Sequence, residues 1–143
     1  MKGNTTVVTE RPIRPEEMLD LISDPRHGAQ ALFVGVVRER HEGRKVAAVT
    51  YDAFPPLAER ELASIAAEAA QRWPVRIAAG HRIGKIVVGE SSVVIAAGSE
   101  HRAEAFEACR FVIEEIKKRL PVWKKEHDED GTERWLDGCA LRP

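Results

Sequence analysis

Cysteine is scarce in this chain. Cys109 and Cys139 are the only two among 143 residues, too few and too unpatterned for a disulfide framework or a zinc site. An excess of one charge is also missing. The 22 Lys and Arg balance 23 Asp and Glu, for a formal net charge of −1, whereas a nucleic-acid binder usually shows a basic excess. No stretch approaches the ~18 apolar residues of a membrane span. Met1–Arg14 also lacks the apolar run of a signal peptide. There is no GxSxG, Walker A or GxGxxG pattern, which disfavours the common hydrolases and nucleotide-binding folds. Internal repeats, low-complexity tracts and dividing linkers are absent too. What is present, 43% hydrophobic and 31% charged residues, is ordinary globular composition. The expectation is a single domain over residues 1–143, in the reducing cytoplasm, binding neither membrane nor nucleic acid, with enzyme and binding module both open.

Local pattern predicts the elements. Thr5–Thr9 is β-branched and reads as a short strand. Arg14–Ile22 reads as a short helix with Pro15 in its first turn, and Asp24–Gly28 as a turn. Ala29–Val37 is mostly apolar, as a strand covered on both faces would be. A polar loop, Arg38–Arg44, separates it from a β-rich segment, Lys45–Ala53, so the two strands are expected to pair as an antiparallel hairpin. Pro55 and Pro56 open a helix to about Arg72, with Ala58, Leu62, Ile65, Ala66 and Ala69 at helical period. Val75–Ile83, Lys85–Val88 and Ser91–Ala97 are further strands. Ser99 is expected to cap the longest helix, His101–Leu120, which Pro121 stops. Val122–Glu126 and Glu133–Leu136 are strands joined by the acidic turn His127–Gly131. Strands and helices mix without strict βα alternation, so the class is α+β.

At about 100° per residue, Phe106, Cys109, Ile113, Ile116 and Leu120 of the long helix share one arc. Glu104, Glu107, Glu115 and Lys118 oppose it as a solvated face. Arg102, Arg110 and Lys117 project onto or beside the apolar arc, where cations need anionic partners. Their heads either snorkel to water or pair with Glu114, or they meet a ligand. Lysine on an apolar surface is the type whose pKa falls most easily for acid–base work, which makes Lys117 the leading catalytic candidate. Beyond Pro121, Trp123 and Lys124 point to opposite faces of an extended segment, so one can be core while the other faces a cleft.

Arg38, Arg40, His41 and Arg44 crowd one loop, and His81-Arg82 and His101-Arg102 add two pairs. A fold that gathers them offers a pocket for an anion such as phosphate. The alternative for each is a solvated loop charge. No histidine pair has zinc-motif spacing, so no metal or other cofactor is expected. Cys109, on the apolar arc, reads as core rather than nucleophile, and nothing marks Cys139 as activated.

Four collinear blocks carry a resemblance: Phe33-Val-Gly-Val-Val-Arg38, His81-Arg-Ile-Gly84, Ser99-Glu-His-Arg-Ala-Glu-Ala-Phe106 and Lys117-Lys-Arg-Leu-Pro-Val-Trp-Lys124. With Tyr51-Asp-Ala-Phe54 and Glu133-Arg-Trp135 they span about residues 5 to 136. Together they resemble the large, catalytic subunit of molybdopterin synthase, the MoaE family.

The resemblance implies an α+β, hammerhead-like core with an added β-rich part. It implies conversion of cyclic pyranopterin monophosphate (precursor Z) into molybdopterin by installing a dithiolene. Sulfur would come from a small ubiquitin-like subunit with a C-terminal Gly-Gly thiocarboxylate tail, and the large subunits would form a homodimer at the centre of a heterotetramer. By the same resemblance Lys117 and Lys124 are the catalytic lysines, and Arg38, His101, Arg102 and Arg134 join them in binding substrate. Three departures stand out: Val36 where many relatives are polar or basic, His41 where they often carry Asn, and Ile113 where methionine is common. The rival readings are a non-catalytic α+β module holding an anionic metabolite or a partner's tail, and a phosphate-ester hydrolase built on the Arg38 loop.

Overall fold

A computed structural model describes residues 3–136, so Cys139 lies outside the described residues. In chain order the elements are β1 (Thr5–Thr9), α1 (Pro15–Leu21), β2 (Ala29–Val36), β3 (Arg40–His41), β4 (Arg44–Ala53), α2 (Pro55–Arg72), β5 (Val75–Arg82), β6 (Gly84–Val87), β7 (Ser91–Ser99), α3 (Arg102–Arg119), β8 (Val122–Asp128) and β9 (Glu133–Leu136). They form two sheets. One runs β1-β5-β7-β2, with β1–β5 its parallel pair; the other runs β3-β4-β8-β9, with β6 paired to β4. The class is α+β, and the second sheet is the added β-rich part.

Side-chain alternation divides the first sheet's two faces. Ala31, Ile77, Ala79, Val93, Ile95 and Ala97 pack with α2 and α3, whose Leu62, Ile65, Val112 and Ile116 are buried with them. Ala78, Val94 and Ala96 pack on the other side with Met18 and Ile22 from α1 and its end. Burying each such leucine or isoleucine contributes about 1.5–3 kcal/mol. The first of these cores continues without a break into the second sheet through Val46, Val49, Tyr51 and Val122.

The expected hairpin between residues 29–37 and 45–53 does not form. β2 pairs with β7, and β4 with β8. The polar loop closes a hairpin of its own, with Arg40 opposite Lys45 and His41 opposite Arg44. Its two turn residues, Glu42 (φ 51°) and Gly43 (φ 78°), are both left-handed, as a tight primed turn requires. Nor is β2 covered on both faces. It is an edge strand with Leu32 and Val36 exposed, while β5 and β7 are the enclosed strands.

Ser99 does not cap α3. His101 holds the N-cap position without a side-chain cap, and the Ser99 hydroxyl donates to the His101 carbonyl. The helix buries Ala105, Ala108, Cys109, Val112 and Ile116, and the following Leu120 is also buried. Phe106, expected in the core, is 65% exposed because the buried arc centres about one position earlier. Part of the expected solvated face turns to α2 instead. Glu107 accepts from Trp73 Nε1 at 3.1 Å. Glu115 joins Glu61 and Glu68 around the Arg119 guanidinium. That clamp fixes the C-terminal turn of α3, two residues from Lys117.

Candidate functional site

A cavity of about 250 Å³ opens where the two sheets meet. Its wall includes Gly35, Val36 and Arg38 at the end of β2 and just beyond, Arg40 and His41 from β3, Tyr51 from β4, Lys117 from α3, and Lys124 and Glu126 from β8. A bulge between Gly35 and Val36 breaks the β2–β7 register just before Arg38. Lys124 and Glu126 are two apart on a strand and share the cavity face; Trp123 alternates away, as the expected alternation requires.

Charge here is mostly positive and partly desolvated. Burial lowers the Lys124 ammonium from its ordinary value, Lys117 and Arg38 add repulsion, and Glu126 opposes them. Nζ of Lys124 also lies 5.9 Å from the Tyr51 ring centroid. Beneath Tyr51, His81 is 4% exposed and meets its ring edge-on at 4.9 Å. Burial pushes His81 down to about 4, and Lys117 adds repulsion, so it is neutral at pH 7. Its Nδ1–H donates to the Arg82 carbonyl at 2.8 Å, which fixes the tautomer.

Glu126, 2% exposed, is the acidic centre of the wall. Arg44 donates to it at 3.0 Å, His41 approaches to 2.7 Å and Arg134 Nε lies at 3.7 Å. Burial alone would raise its pKa, but Arg44 and His41 hold the carboxyl below its ordinary value.

The six sequence candidates separate into three groups. Arg38, Lys117 and Lys124 come together in the cavity. Arg134 is not among the side chains lining the cavity; it pairs with Asp128 and lies near Glu126. His101 and Arg102 are exposed at the opposite end of α3, where His101 meets Glu100 at 3.3 Å. At ~1.5 Å rise per residue, Arg102 lies roughly 22 Å along the helix from Lys117. One copy of the chain therefore does not bring His101 and Arg102 to its own cavity. Arg110 pairs with Glu114 at 3.2 Å, and Arg82 with Glu90 at 3.5 Å, both away from the cavity.

Glu126 went unread from the sequence, although its period-2 spacing from Lys124 already placed both on one face. Cys109 is a core thiol: burial raises it to about 11, and its Sγ contacts the Ile95 carbonyl at 3.8 Å. Among the described residues no three His, Cys, Asp or Glu side chains group as metal ligands would. No helix among them is long and apolar enough to cross a membrane.

Comparison with known proteins points one way. The family model described as MoaE protein matches residues 8–119. The chain is 42% identical over 137 residues to a molybdopterin synthase catalytic subunit of Halalkalibacterium halodurans, covering 95% of this chain and 87% of that one. It is 40% identical over 133 residues to the Homo sapiens molybdopterin synthase catalytic subunit, covering 92% and 71%. The crystal structure of molybdopterin synthase from Staphylococcus aureus superposes with a TM-score of 0.86 at 36% identity, covering 96% of this chain and 98% of that one.

Proposed function

The chain belongs to the MoaE family of molybdopterin synthase catalytic subunits, and from that membership we propose how its cavity works. The activity is sulfur transfer in molybdenum cofactor biosynthesis, and on this reading the acceptor is cyclic pyranopterin monophosphate. The donor is the C-terminal thiocarboxylate of a small ubiquitin-like subunit, whose tail enters the cavity. The thiocarboxylate sulfur attacks a side-chain carbon of the pterin, a C–S bond forms, and the C–O bond breaks as the departing oxygen takes a proton. Water then hydrolyses the acyl–sulfur bond, leaving sulfur on the pterin and a carboxylate on the partner. A reducing cytoplasm suits such a donor, and no cysteine of this chain is needed.

The observation that carries this reading is the convergence of Lys117, Lys124 and Arg38 on one cavity, with Lys124 made a weaker base by burial and by its cationic neighbours. A lysine that yields its proton more readily suits the proton transfers, and the two lysines together stabilise the oxyanions of attack and hydrolysis. Arg38 holds the cyclic phosphate by charge-assisted hydrogen bonds. A module that merely held an anion would gain nothing from desolvating one of its cations.

His101 and Arg102 complete the phosphate and pterin site from a second copy of the chain. The roughly 22 Å of α3 between Arg102 and Lys117 supports this. So do the exposed apolar side chains of Leu32 and Val36 on the edge strand β2, and of Phe106 on α3. That arrangement supports a homodimer, which with a small subunit at each end would be the centre of a heterotetramer. The test is a defined conversion: the protein, precursor Z and a thiocarboxylated small subunit, with dithiolene product read as its oxidised fluorescent derivative. Product only when all three are present is expected, with Lys117→Ala and Lys124→Ala each abolishing turnover while still binding the partner. Full turnover by both variants overturns the reading.

A further inference from the structure

We propose that His81 is a positioning residue for Lys124: through the Tyr51 ring it maintains a buried, uncharged floor that fixes the lysine side chain in the cavity. The catalytic role of Lys124 is taken from the synthase reading above. Alternation along β5 puts His81 on the face of Ile77 and Ala79, which packs with α2 and α3. Its register neighbours are Val8 on β1 and Val93 on β7, so an imidazole occupies an otherwise apolar position. A polar ring is costlier to bury there than a leucine. His81 is not among the side chains lining the cavity, but Tyr51 is. The two rings meet edge-to-face, with centroids 4.9 Å apart and planes at 78°. Tyr51 in turn faces Lys124 across the β4–β8 ladder, Nζ lying 5.9 Å from its centroid. The His81 ring is not free to turn, because Nδ1–H is committed to the Arg82 carbonyl at 2.8 Å. Arg82 is itself anchored, at 3.5 Å from Glu90 and 3.2 Å from the Glu10 carbonyl. Tyr51 is thereby backed by a ring of set orientation.

The groups that face Lys124 come from every neighbouring element. Lys117 of α3 and Arg38 beyond β2 repel it, and Glu126 of its own strand attracts it. Glu126 is engaged in turn by His41, Arg44 and Arg134. The ladders place Tyr51 of β4 on one side of Lys124 and Leu136 of β9 on the other. A protonated histidine behind Tyr51 would add a further positive charge to this set. Burial, helped by Lys117, instead keeps His81 uncharged down to about 4. The floor therefore desolvates the ammonium without adding charge, which leaves Lys124 a readier proton donor. Without the ring, water reaches Tyr51 and Lys124 from below. The lysine then reverts toward an ordinary one, which yields its proton less readily.

Two variants separate the ring from its hydrogen bond. His81→Asn keeps a donor for the Arg82 carbonyl and loses the ring, whereas His81→Phe keeps the ring and loses the donor. On the full chain, NMR of lysine-labelled protein follows the Lys124 ammonium through its titration, with Lys124→Arg assigning the signal. Lys124 is expected to titrate below an ordinary lysine in the parent and in His81→Phe, and to move up toward it in His81→Asn. In the assembled synthase, His81→Asn should lower kcat at pH 7 about tenfold with KM kept within about twofold. The alkaline limb of its kcat profile should move to higher pH, since the proton donor then ionises later. His81→Phe should recover most of that turnover, with the alkaline limb back at the parent's position. Tyr51→Leu removes the floor itself and should give the same upward titration, which decides the matter should His81→Asn fail to fold. Folded variants of either kind in which Lys124 titrates as in the parent overturn the proposal. So does a His81→Phe protein shifted as far as His81→Asn. A Lys124 titration that follows the ring, in a protein that makes no dithiolene, upholds the proposal and overturns the synthase reading instead.

Discussion

Lys124 faces Tyr51 directly across the β4–β8 ladder, with its Nζ 5.9 Å from the ring centroid. That is near the outer limit of a useful cation–π contact and little compensation for a half-buried ammonium. The folded protein binds this proton more weakly than the unfolded chain does, since burial and Lys117 lower Lys124 from 10.5. The penalty on folding is therefore fully present below the folded-state pKa, shrinks as pH rises from there toward 10.5, and is gone above it. Lys124→Met is expected to raise stability at pH 7 by about 1 kcal/mol while abolishing turnover, as substitutions that relieve a functional site do. Urea melts at pH 7 and pH 10 check this: the gain should narrow at the higher pH, and a loss of stability at pH 7 counts against a desolvated lysine.

The separation of Arg102 from Lys117 along α3 makes a different kind of prediction. Arg102→Ala and Lys117→Ala proteins should each be inactive alone. Mixed, unfolded and refolded together, they should recover about a quarter of wild-type activity, because half the dimers are mixed and each mixed dimer holds one intact site. Recovery that stays at the background of the separate variants would place both residues in one chain's site, against the geometry of the helix.

How much of this was readable beforehand depends on the range of the interaction. Helix α2 and its buried Ala58, Leu62, Ile65, Ala66 and Ala69 follow from local period and match the structure residue for residue. Strand partners do not, because a β-ladder is chosen by the whole chain. β4 passes over its neighbour β2 for β8, some seventy residues later, and no local pattern encodes that choice. In the site, Lys117 stands out as a cation beside an apolar arc, and Lys124 as one alternating with Trp123. Glu126 is hidden among the acids that follow it, and only the ladder shows it buried among Arg44, His41 and Arg134. Phe106 misleads because the buried arc of α3 is set by what packs on it, not by where its largest apolar side chains lie.

Glu126→Gln should be costly, because it leaves Arg44, His41 and Arg134 facing a neutral amide. Removing one partner of a buried ion pair typically costs 3–5 kcal/mol. These side chains keep about a third of their surface in water, so about 2–3 kcal/mol is expected. The carboxyl is held below its ordinary value, so its stabilising contribution is present above 4.5 and is lost as pH falls through the folded-state value. The gap between parent and variant in chemical denaturation should accordingly close on acidification below pH 4.5. A gap of the same size at pH 3 would mean that the carboxylate's charge is not what holds this wall.

Among the described glycines, Gly35 has the closest neighbour to where a side chain would begin. A Cβ built there falls 2.6 Å from Val93 Cγ1 and 3.4 Å from the Phe33 ring. Valine is stiff at χ1, and Val93 is buried in the core, so the clash cannot be relieved by swinging one atom aside. The strand itself has to move, and the bulge that precedes Arg38 is where its ladder is already broken. Gly35→Ala should therefore cost about 1–3 kcal/mol as overpacking, and it should also raise KM for the pterin substrate several-fold more than it lowers kcat. That split separates two accounts of the glycine. If Gly35 only fills space, melting temperature falls and KM in the surviving folded protein stays at the wild-type value. If the bulge aims Arg38 at the phosphate, KM rises even at temperatures where the variant is fully folded. A second substitution, Val93→Ala, tells the two apart in the same protein by reopening the space, because restored stability together with restored KM would tie the aim of Arg38 to this one contact.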